Sequence, residues 1–354
     1  MTLPAPKTLA LILALVLALV LAGAGCQQPA PVVATWLVVD RDADPQHLGG
    51  HPGALFTVNP QSGKVEVFCT SAKWKDPVDV LLDRDGSFLV LDYHDGGTGG
   101  IFRVSADGKQ VNALDLPKGL VDPTHFQLAS DGWLWIVDKN ADPQDLGKAN
   151  APTGTLWRLS PDHTRLEILA TGPPLQAPAC LAFVDGIPYL LDADAFRTKP
   201  ISHEGAIFRV HPQQPGKPGR LETAVRLKGL LSPISMQPFG DGSFLVVDVN
   251  ADPQRPSRHR GAVYLVNLSN ASTTLFCHDP ALRDPASATL GGDELLLVDA
   301  SADPKGYGKD GTGQGYAGFG RGAVFRIDLA QRRAHLACAS KQFVNPVRVE
   351  VLQR

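Results

Sequence analysis

Short segments in which apolar and polar residues alternate fill the chain from about residue 34 onward, and three landmarks recur among them. The first landmark is a glycine followed by small or apolar residues and an aromatic residue. The second is a proline that opens an apolar segment. The glycines are Gly53, Gly100 (in a copy one residue shorter), Gly154, Gly205, Gly261 and Gly322, and the prolines are Pro77, Pro123, Pro178, Pro233, Pro285 and Pro346. A repeat of about 50 residues fits one four-stranded blade of a β-propeller.

The third landmark is an apolar strand that ends in Asp and follows each proline after a tight turn containing Asp-Gly or Gly-Gly. These strands end at Asp92, Asp138, Asp192, Asp248 and Asp299. The sixth unit lacks this strand, whereas the segment from Trp36 to Asp40 supplies one at the other end of the chain. We therefore predict an all-β, six-bladed propeller over residues 34–354. Its N-terminal strand completes the last blade and leaves no open sheet edge.

The first residues differ from the repeat and are typical of a secretory signal. Lys7 precedes an apolar run from Leu9 to Ala22, which is shorter than the roughly 20 residues that span a bilayer. Small residues then lead to Cys26. We predict a signal peptide over residues 1–25 and a tether over residues 26–33.

The small residues that end at Cys26 resemble the lipobox of bacterial lipoproteins, which implies lipidation of Cys26. Gly23 stands where such boxes carry a larger residue, so soluble secretion after cleavage at Ala24 and an uncleaved anchor remain alternatives. We expect an exported lipoprotein of the cell envelope, bound to the membrane only by its lipid. The alternative location is periplasmic or secreted. We also expect a monomer.

Composition excludes few functions. The net charge is −3 and the basic residues are scattered, so we expect no nucleic-acid partner.

Cys69, Cys277 and Cys338 each lie eight residues before their proline, which favours a repeated buried small residue. Export also permits disulfides, and a Cys69–Cys338 or a Cys277–Cys338 bond is the alternative. Cys180 has no base near it in the sequence.

The order of proline, apolar strand, Asp-Gly turn, Asp-ended strand and glycine resembles the NHL-repeat propellers and the related gluconolactonase-like and streptogramin-lyase-like propellers. The resemblance covers nearly all of the mature chain. It implies the architecture and leaves function open, because those propellers include lactonases, lyases and binding modules. The metal-binding Glu of the gluconolactonase-like group is absent after all six prolines. His125 resembles the His of the lyases, without an assignable Glu partner.

Several Asp-ended strands continue as Asp-x-[Asp/Asn/Ser]-x-Asp, which places three oxygen ligands at alternating positions and resembles the start of a Ca²⁺-binding loop. The candidate metal ligands are Asp40, Asp42, Asp44, Asp138, Asn140, Asp142, Asp248, Asn250, Asp252, Asp299, Ser301 and Asp303. The alternative interpretation is structural, because Asp after a strand commonly accepts backbone N–H bonds.

A second set of candidates lies two residues after each proline, at the predicted mouth of the central channel. These are Asp79, His125, Cys180, Ser235, Ser287 and Arg348. Residue types that vary within a regular ring favour a ligand-binding site. Asp79, His125 and Arg348, from consecutive blades, are the catalytic candidates as base, acid and anion clamp. Ordinary rim residues are the alternative.

These patterns support a propeller that binds a small molecule, peptide or protein on its acidic face, with Ca²⁺ as an optional cofactor. The alternative function is a metal-dependent hydrolase, lactonase or lyase at the channel mouth. A scaffold whose Asp repeats serve only folding is the third hypothesis.

Overall fold

The structure is a computed structural model, and it describes residues 35–49, 52–93, 98–144, 153–196, 204–211, 219–250, 260–302, 304–305 and 321–352. Every regular element among these residues is a β-strand. No helix in this part of the chain is long and apolar enough to cross a membrane. The predicted signal peptide and tether, including Cys26, lie outside the described residues.

Six four-stranded antiparallel sheets form the blades of a propeller. Blade 1 contains β1 (Thr35–Asp40), β2 (Ala54–Val58), β3 (Val65–Thr70) and the last strand, β24 (Pro346–Leu352). Blade 2 contains β4 (Pro77–Leu82), β5 (Phe88–Asp92), β6 (Gly100–Val104) and β7 (Val111–Ala113). Blade 3 contains β8 (Pro123–Leu128), β9 (Leu134–Asp138), β10 (Thr155–Leu159) and β11 (Leu166–Thr171).

The remaining blades have the same organisation. Blade 4 contains β12 (Pro178–Val184), β13 (Ile187–Asp192), β14 (Gly205–His211) and β15 (Arg220–Leu227). Blade 5 contains β16 (Pro233–Pro238), β17 (Ser243–Asp248), β18 (Ala262–Asn267) and β19 (Ser272–Cys277). Blade 6 contains β20 (Pro285–Gly291), β21 (Glu294–Asp299), β22 (Ala323–Asp328) and β23 (Arg333–Ala339). The predicted fold class and number of blades are confirmed.

The first and last strands of the propeller meet in blade 1, as predicted. β1 pairs with β24 in antiparallel register from Thr35 opposite Leu352 to Asp40 opposite Pro346, and it pairs with β2 on its other side. The first strand therefore lies between the last strand and the second. This arrangement satisfies the backbone groups along both edges of β1 and closes the ring.

Burial falls from the second strand of each blade to the outermost strand. β17 is buried along its whole length, whereas β15, an outer strand, is largely exposed. Second strands are buried on both faces because neighbouring blades pack face to face, which explains their continuous apolar sequences. The core consists of interblade clusters, such as the one in which Leu37 and Val39 of blade 1 pack with Trp74 and Val90 of blade 2.

The glycine and proline landmarks meet across the blade interfaces. A Cβ atom added to Gly53 would lie 2.3 Å from Cγ of Pro77 in the next blade. The same clash with a proline ring, at 2.1 to 2.2 Å, occurs at Gly154, Gly261 and Gly322, whereas a Cβ on Gly205 would lie 2.7 Å from the carbonyl oxygen of Asp192 and 3.1 Å from the ring of Pro233. A side chain at this position would push the next inner strand away, so the two landmarks recur together.

The structure of blade 2 corrects the position of its glycine landmark, which the sequence pattern placed at Gly100. Its equivalent glycine is Gly99, whose added Cβ would lie 2.2 Å from Pro123, whereas one on Gly100 would meet only Phe102 at 3.7 Å. The blade 2 copy of the repeat is therefore not one residue shorter than the others.

Candidate functional site

The Asp that ends each second strand joins two segments of its own blade. Its carboxylate accepts backbone N–H bonds from the two residues that precede the proline of the inner strand. The donors are Val344 and Asn345 for Asp40, Lys75 and Asp76 for Asp92, Val121 and Asp122 for Asp138, Gln176 and Ala177 for Asp192, Leu231 and Ser232 for Asp248, and Arg283 and Asp284 for Asp299. These hydrogen bonds are the ones expected from the structural interpretation of the repeated Asp, in which its carboxylate accepts backbone N–H bonds.

In five of the blades the same carboxylate also accepts N–H bonds from the turn that follows it, for example from Ser301 at 3.0 Å and Ala302 at 2.7 Å to Asp299. Burial raises the pKa of Asp40, Asp192 and Asp299 to about 6, against the opposing effect of these hydrogen bonds. Oxygen atoms occupied by several backbone donors hold the chain in a turn, and the repeat copies that turn into these five blades.

The middle residue of the Asp-x-[Asp/Asn/Ser]-x-Asp pattern contacts the residue before the proline. Asn140 donates to Asp122, and Ser301 Oγ donates to Asp284 Oδ2 at 3.3 Å. In blade 1 the roles are reversed, because Asn345 Nδ2 donates to Asp42 Oδ2 at 2.8 Å. These bonds connect the starts of the inner strands to the ends of the second strands.

The third residue of the pattern is described in only two copies. Asp44 accepts N–H bonds from Leu48 at 2.7 Å and Gly49 at 2.8 Å, and Asp142 is also described, but Asp252 and Asp303 lie outside the described residues. Within the described ranges, no group of three or more His, Cys, Asp or Glu side chains is arranged to hold a metal ion. The calcium hypothesis stays a prediction.

The six candidates two residues after each proline form a buried layer inside the channel rather than its mouth. Asp79, His125, Cys180, Ser235 and Ser287 are between 1% and 6% exposed, and the Arg348 side chain is 12% exposed. The inner strands carry a β-bulge immediately after the proline, for example between Pro178 and Cys180. Such a bulge re-aims the side chains that follow it, which strict alternation does not reveal.

Side chains of this layer bond to the inner strand of the next blade. Phe126 N–H donates to Asp79 Oδ2 at 3.2 Å, and Ala288 N–H donates to Ser235 Oγ at 3.4 Å. Cys180 Sγ lies 3.7 Å from the carbonyl oxygen of Met236. The layer therefore links consecutive blades around the channel. The hydroxyl of Ser287, in the same layer, has no hydrogen-bond partner among the described residues.

The three catalytic candidates lie together within this layer. His125 Nδ1 is 2.6 Å from Asp79 Oδ2, and Arg348 Nε is 3.0 Å from Asp79 Oδ1. Burial alone would raise the pKa of Asp79, but the charges of Arg348 and His125 outweigh it and hold that pKa below its usual value. Glu350 is 3.5 Å from Arg348 and completes a cluster of two acidic and two basic side chains.

Cys180 and His125 share one acceptor, because Sγ of Cys180 lies 3.7 Å and Nε2 of His125 lies 3.0 Å from the carbonyl oxygen of Leu181, so the structure places a base near Cys180 that the sequence did not. Burial lowers the pKa of His125, but Cys180 and Asp79 outweigh this effect and raise the pKa to about 10. Burial raises the pKa of Cys180, but the charge of His125 outweighs it and brings the pKa below its usual value. All four cysteines from Cys69 onward are buried and free, so neither predicted disulfide is present.

The channel mouth is a separate cavity of about 500 Å³, one layer above these residues. Its floor consists of the residue that directly follows each proline, so every blade contributes: Val78, Thr124, Ala179, Ile234, Ala286 and Val347. Its rim is polar and includes Arg41, Lys139, Asp194, Ser232, Asp284 and Asn345.

These rim residues are not among the candidates predicted from the sequence, although the sequence carries a signal for them. Arg41 and Lys139 directly follow a strand-ending Asp, and Ser232, Asp284 and Asn345 directly precede a landmark proline. Because the ends of the second strands and the starts of the inner strands meet on one face, the neighbours of these two landmarks surround the channel.

Comparisons with known proteins support the architecture. The chain is similar to a chain of the nidogen/laminin complex, with 14% sequence identity and a TM-score of 0.57 over 90% of this chain and 98% of that one. It is also similar to a candidate 6-phosphogluconolactonase from Bacteroides uniformis, with 13% identity and a TM-score of 0.54 over 90% of this chain and 99% of that one. Likeness at this level of identity shows the fold alone.

A candidate gluconolactonase is 15% identical over 76% of this chain and 89% of that one, with a TM-score of 0.47. No family model matches the sequence, and no curated protein matches it. The fold defines the class of this protein, a six-bladed β-propeller with gluconolactonase-like structural neighbours.

Proposed function

We propose that this propeller binds a small dipolar ligand, one with separated positive and negative groups, in the cavity at the channel mouth. The order of charges around the rim supports the proposal. Arg41 and Lys139 belong to blades 1 and 3, whereas Asp194 and Asp284 belong to blades 4 and 6. In a ring of six, blade 1 stands opposite blade 4, and blade 3 opposite blade 6. Each basic rim residue therefore faces an acidic one across the cavity.

The floor of the cavity suits the apolar body of such a ligand. Val78, Ile234 and Val347 supply apolar surface, and Ala179 and Ala286 leave room between them. A volume of about 500 Å³ lies within the usual range for small-molecule sites. A ligand with an apolar centre and opposite charges at its ends, such as a short peptide or a modified amino acid, matches the floor and the rim together.

Arg41 is held in place before any ligand arrives. Its guanidinium forms an ion pair with Asp76 and lies 5.4 Å from the centre of the Tyr93 ring. A side chain that is already oriented loses less conformational entropy on binding. Arg41 is therefore preorganised to receive an anionic group.

We further propose that the protein is exported and tethered through a lipid on Cys26. The sequence of residues 1–26 supports this part, and a tether of eight residues would hold the propeller close to the membrane. A small charged ligand would then be captured in the cell envelope. Metabolic labelling with a palmitate analogue, compared between the wild type and Cys26→Ala, tests the anchor.

Calorimetric titration with di- and tripeptides tests the binding proposal. Each peptide is compared with its N-acetylated and its C-amidated form, which remove one charge each. We expect the doubly charged peptides to bind about tenfold more tightly than either blocked form, because each lost charge leaves one half of the rim unpaired.

Matched variants identify the cavity as the site. Lys139→Ala and Asp284→Asn are expected to weaken binding of the free peptides by about tenfold. Lys109→Ala, an exposed residue outside the cavity lining, is the control and should bind as the wild type does. Equal affinity for free and blocked peptides, or wild-type affinity in both rim variants, would overturn the proposal. Product release during the titration would favour the hydrolase alternative.

A further inference from the structure

Thr124 carries the one polar side chain among the six residues that form the floor of the cavity at the channel mouth. The other five are Val78, Ala179, Ile234, Ala286 and Val347, which offer a ligand apolar surface alone. Thr124 is half-buried and lines the cavity, so part of its side chain is accessible from it. A single hydrogen-bonding group in an apolar floor is the kind of feature that fixes the orientation of a small ligand.

The Thr124 hydroxyl has only hydrogen-bond acceptors on its protein side. Oγ1 lies 3.5 Å from the carbonyl oxygen of Val137, 3.5 Å from that of Pro178 and 3.4 Å from that of Ala179. These distances are long for an O–H···O bond, and the hydroxyl has one hydrogen to share among the three oxygens. Carbonyl oxygens cannot donate, so both lone pairs of Oγ1 lack a donor among the described residues. The floor therefore presents a hydrogen-bond acceptor to the ligand.

Thr124 and Lys139 lie next to each other on blade 3. The residues that precede them, Pro123 and Asp138, pair directly with each other across β8 and β9. Lys139 N–H also donates to the carbonyl oxygen of Asp122 at 3.0 Å, which holds the start of the rim loop against the start of the inner strand. The acceptor on the floor and a basic residue of the rim therefore belong to the same sector of the cavity.

This arrangement determines the order of groups along a bound ligand. The anionic end meets Lys139, a donor close to that end meets Thr124, and the cationic end reaches Asp284 on blade 6, opposite blade 3. In a peptide, the N–H of the C-terminal residue is one carbon atom away from the carboxylate, and the ammonium group lies at the far end. A modified amino acid without an amide lacks this donor and would leave the acceptor on the floor desolvated and unpaired.

We propose that the ligand is a short peptide with a free C terminus, and that Thr124 recognises the N–H of its C-terminal residue. The inference rests on the proposed function, and it narrows the ligand class from dipolar molecules to peptides. In the complex the peptide N–H donates to Thr124 Oγ1, while the hydroxyl hydrogen stays directed at the carbonyl oxygens of β9 and β12. Thr124 is thus a residue that determines the specificity of the cavity.

A depsipeptide tests this hydrogen bond without changing the length or the charges of the ligand. L-Alanyl-L-lactate has an ester oxygen at the position where L-alanyl-L-alanine has the N–H. The ester oxygen offers no hydrogen to Thr124, so the dipeptide should bind to the wild type about five- to tenfold more tightly than the depsipeptide. Calorimetric titration with each compound measures the two affinities.

Two variants assign the difference in affinity to the Thr124 hydroxyl. Thr124→Val removes the hydroxyl and keeps the shape of the side chain, and valine already occupies the equivalent floor position as Val78 and Val347. In this variant the two compounds should bind with affinities that agree within about twofold. Ile234→Val, on the floor in blade 5, is the matched control and should keep the wild-type preference for the dipeptide. Thermal melting verifies that both variants are folded.

The outcomes separate this inference from the proposed function. Equal affinity of the wild type for the two compounds, with binding still weakened by Lys139→Ala, would overturn the inference and leave the proposed function standing. That comparison requires no change at Thr124. A preference for the dipeptide that persists in a folded Thr124→Val protein would also overturn the inference. Failure of both compounds to bind would overturn the proposed function together with it.

Discussion

His125 Nδ1 lies 2.6 Å from Asp79 Oδ2, and the two side chains come from the inner strands of neighbouring blades. Arg348 extends the contact backward to blade 1, and Cys180 of blade 4 shares the Leu181 carbonyl oxygen with His125. The buried charged cluster of Asp79, His125, Arg348 and Glu350 thus links three consecutive blades, and Cys180 adjoins it from a fourth. The ion pairs of Asp79 with His125 and Arg348 hold these three side chains charged, and this has consequences for stability.

The stability contributed by His125 should depend on pH. The pKa of His125 is raised from 6.5 to about 10 in the folded protein, so folding favours the protonated ring. Its contribution is fully present below pH 6.5 and is lost as the pH rises toward 10. The difference in unfolding free energy between the wild type and His125→Gln should therefore shrink across this range. Urea unfolding at several pH values measures it, and a constant difference would contradict the assignment.

The contact between Gly99 and Pro123 should make two adjacent glycines respond differently to the same substitution. An alanine Cβ at position 99 would lie 2.2 Å from the Pro123 ring, whereas at position 100 the nearest atom is 3.7 Å away. We expect Gly99→Ala to lower the free energy of unfolding by about 2–3 kcal/mol and Gly100→Ala to change it by less than about 1 kcal/mol. Thermal and urea melting test this, and a reversed order would restore the alignment that places Gly100 in the repeat.

The Asp that ends a second strand should be important for folding. Asp248 accepts N–H bonds from Leu231 at 2.7 Å and from Asn250 at 2.9 Å. Asp248→Asn replaces one acceptor oxygen by an amide that points at backbone donors, so we expect a loss of about 2–3 kcal/mol. Asp241→Asn, in an exposed turn of the same blade, is the matched control. Equal melting temperatures of the two variants would contradict the structural role of Asp248.

The same experiment can test the calcium hypothesis. If the Asp-x-[Asp/Asn/Ser]-x-Asp turns bind Ca²⁺, the melting temperature of the wild type should rise with added calcium and fall with a chelator. A melting temperature that is independent of both would leave these turns with their hydrogen-bonding role alone.

Closure of the ring should be necessary for cooperative folding. β24 pairs with β1 along its whole length and carries Arg348 of the charged cluster. A chain that ends at Asn345 would expose the edge of β1 and open the ring, so we expect loss of the cooperative melting transition and aggregation. A chain that ends at Leu352 retains β24 and is the control. Circular dichroism and size-exclusion chromatography distinguish the two outcomes.

The number of blades and the mode of closure could be predicted from the sequence because local patterns determine them. Alternating apolar residues specify strands, and Pro77, Asp92 and Gly53 each mark a position that every blade repeats. The missing strand of the last unit and the extra strand ending at Asp40 then leave one way to close the ring. None of this requires knowledge of which side chains touch across the channel.

The charged cluster and the ligand cavity were decided only by the tertiary structure. His125 and Asp79 meet because the inner strands of consecutive blades lie side by side, and no spacing in the sequence records that distance. The β-bulge after each proline also moved the predicted ring from the channel mouth to a buried layer. Local patterns repeat with the chain, whereas contacts across the channel arise only when six blades close around it.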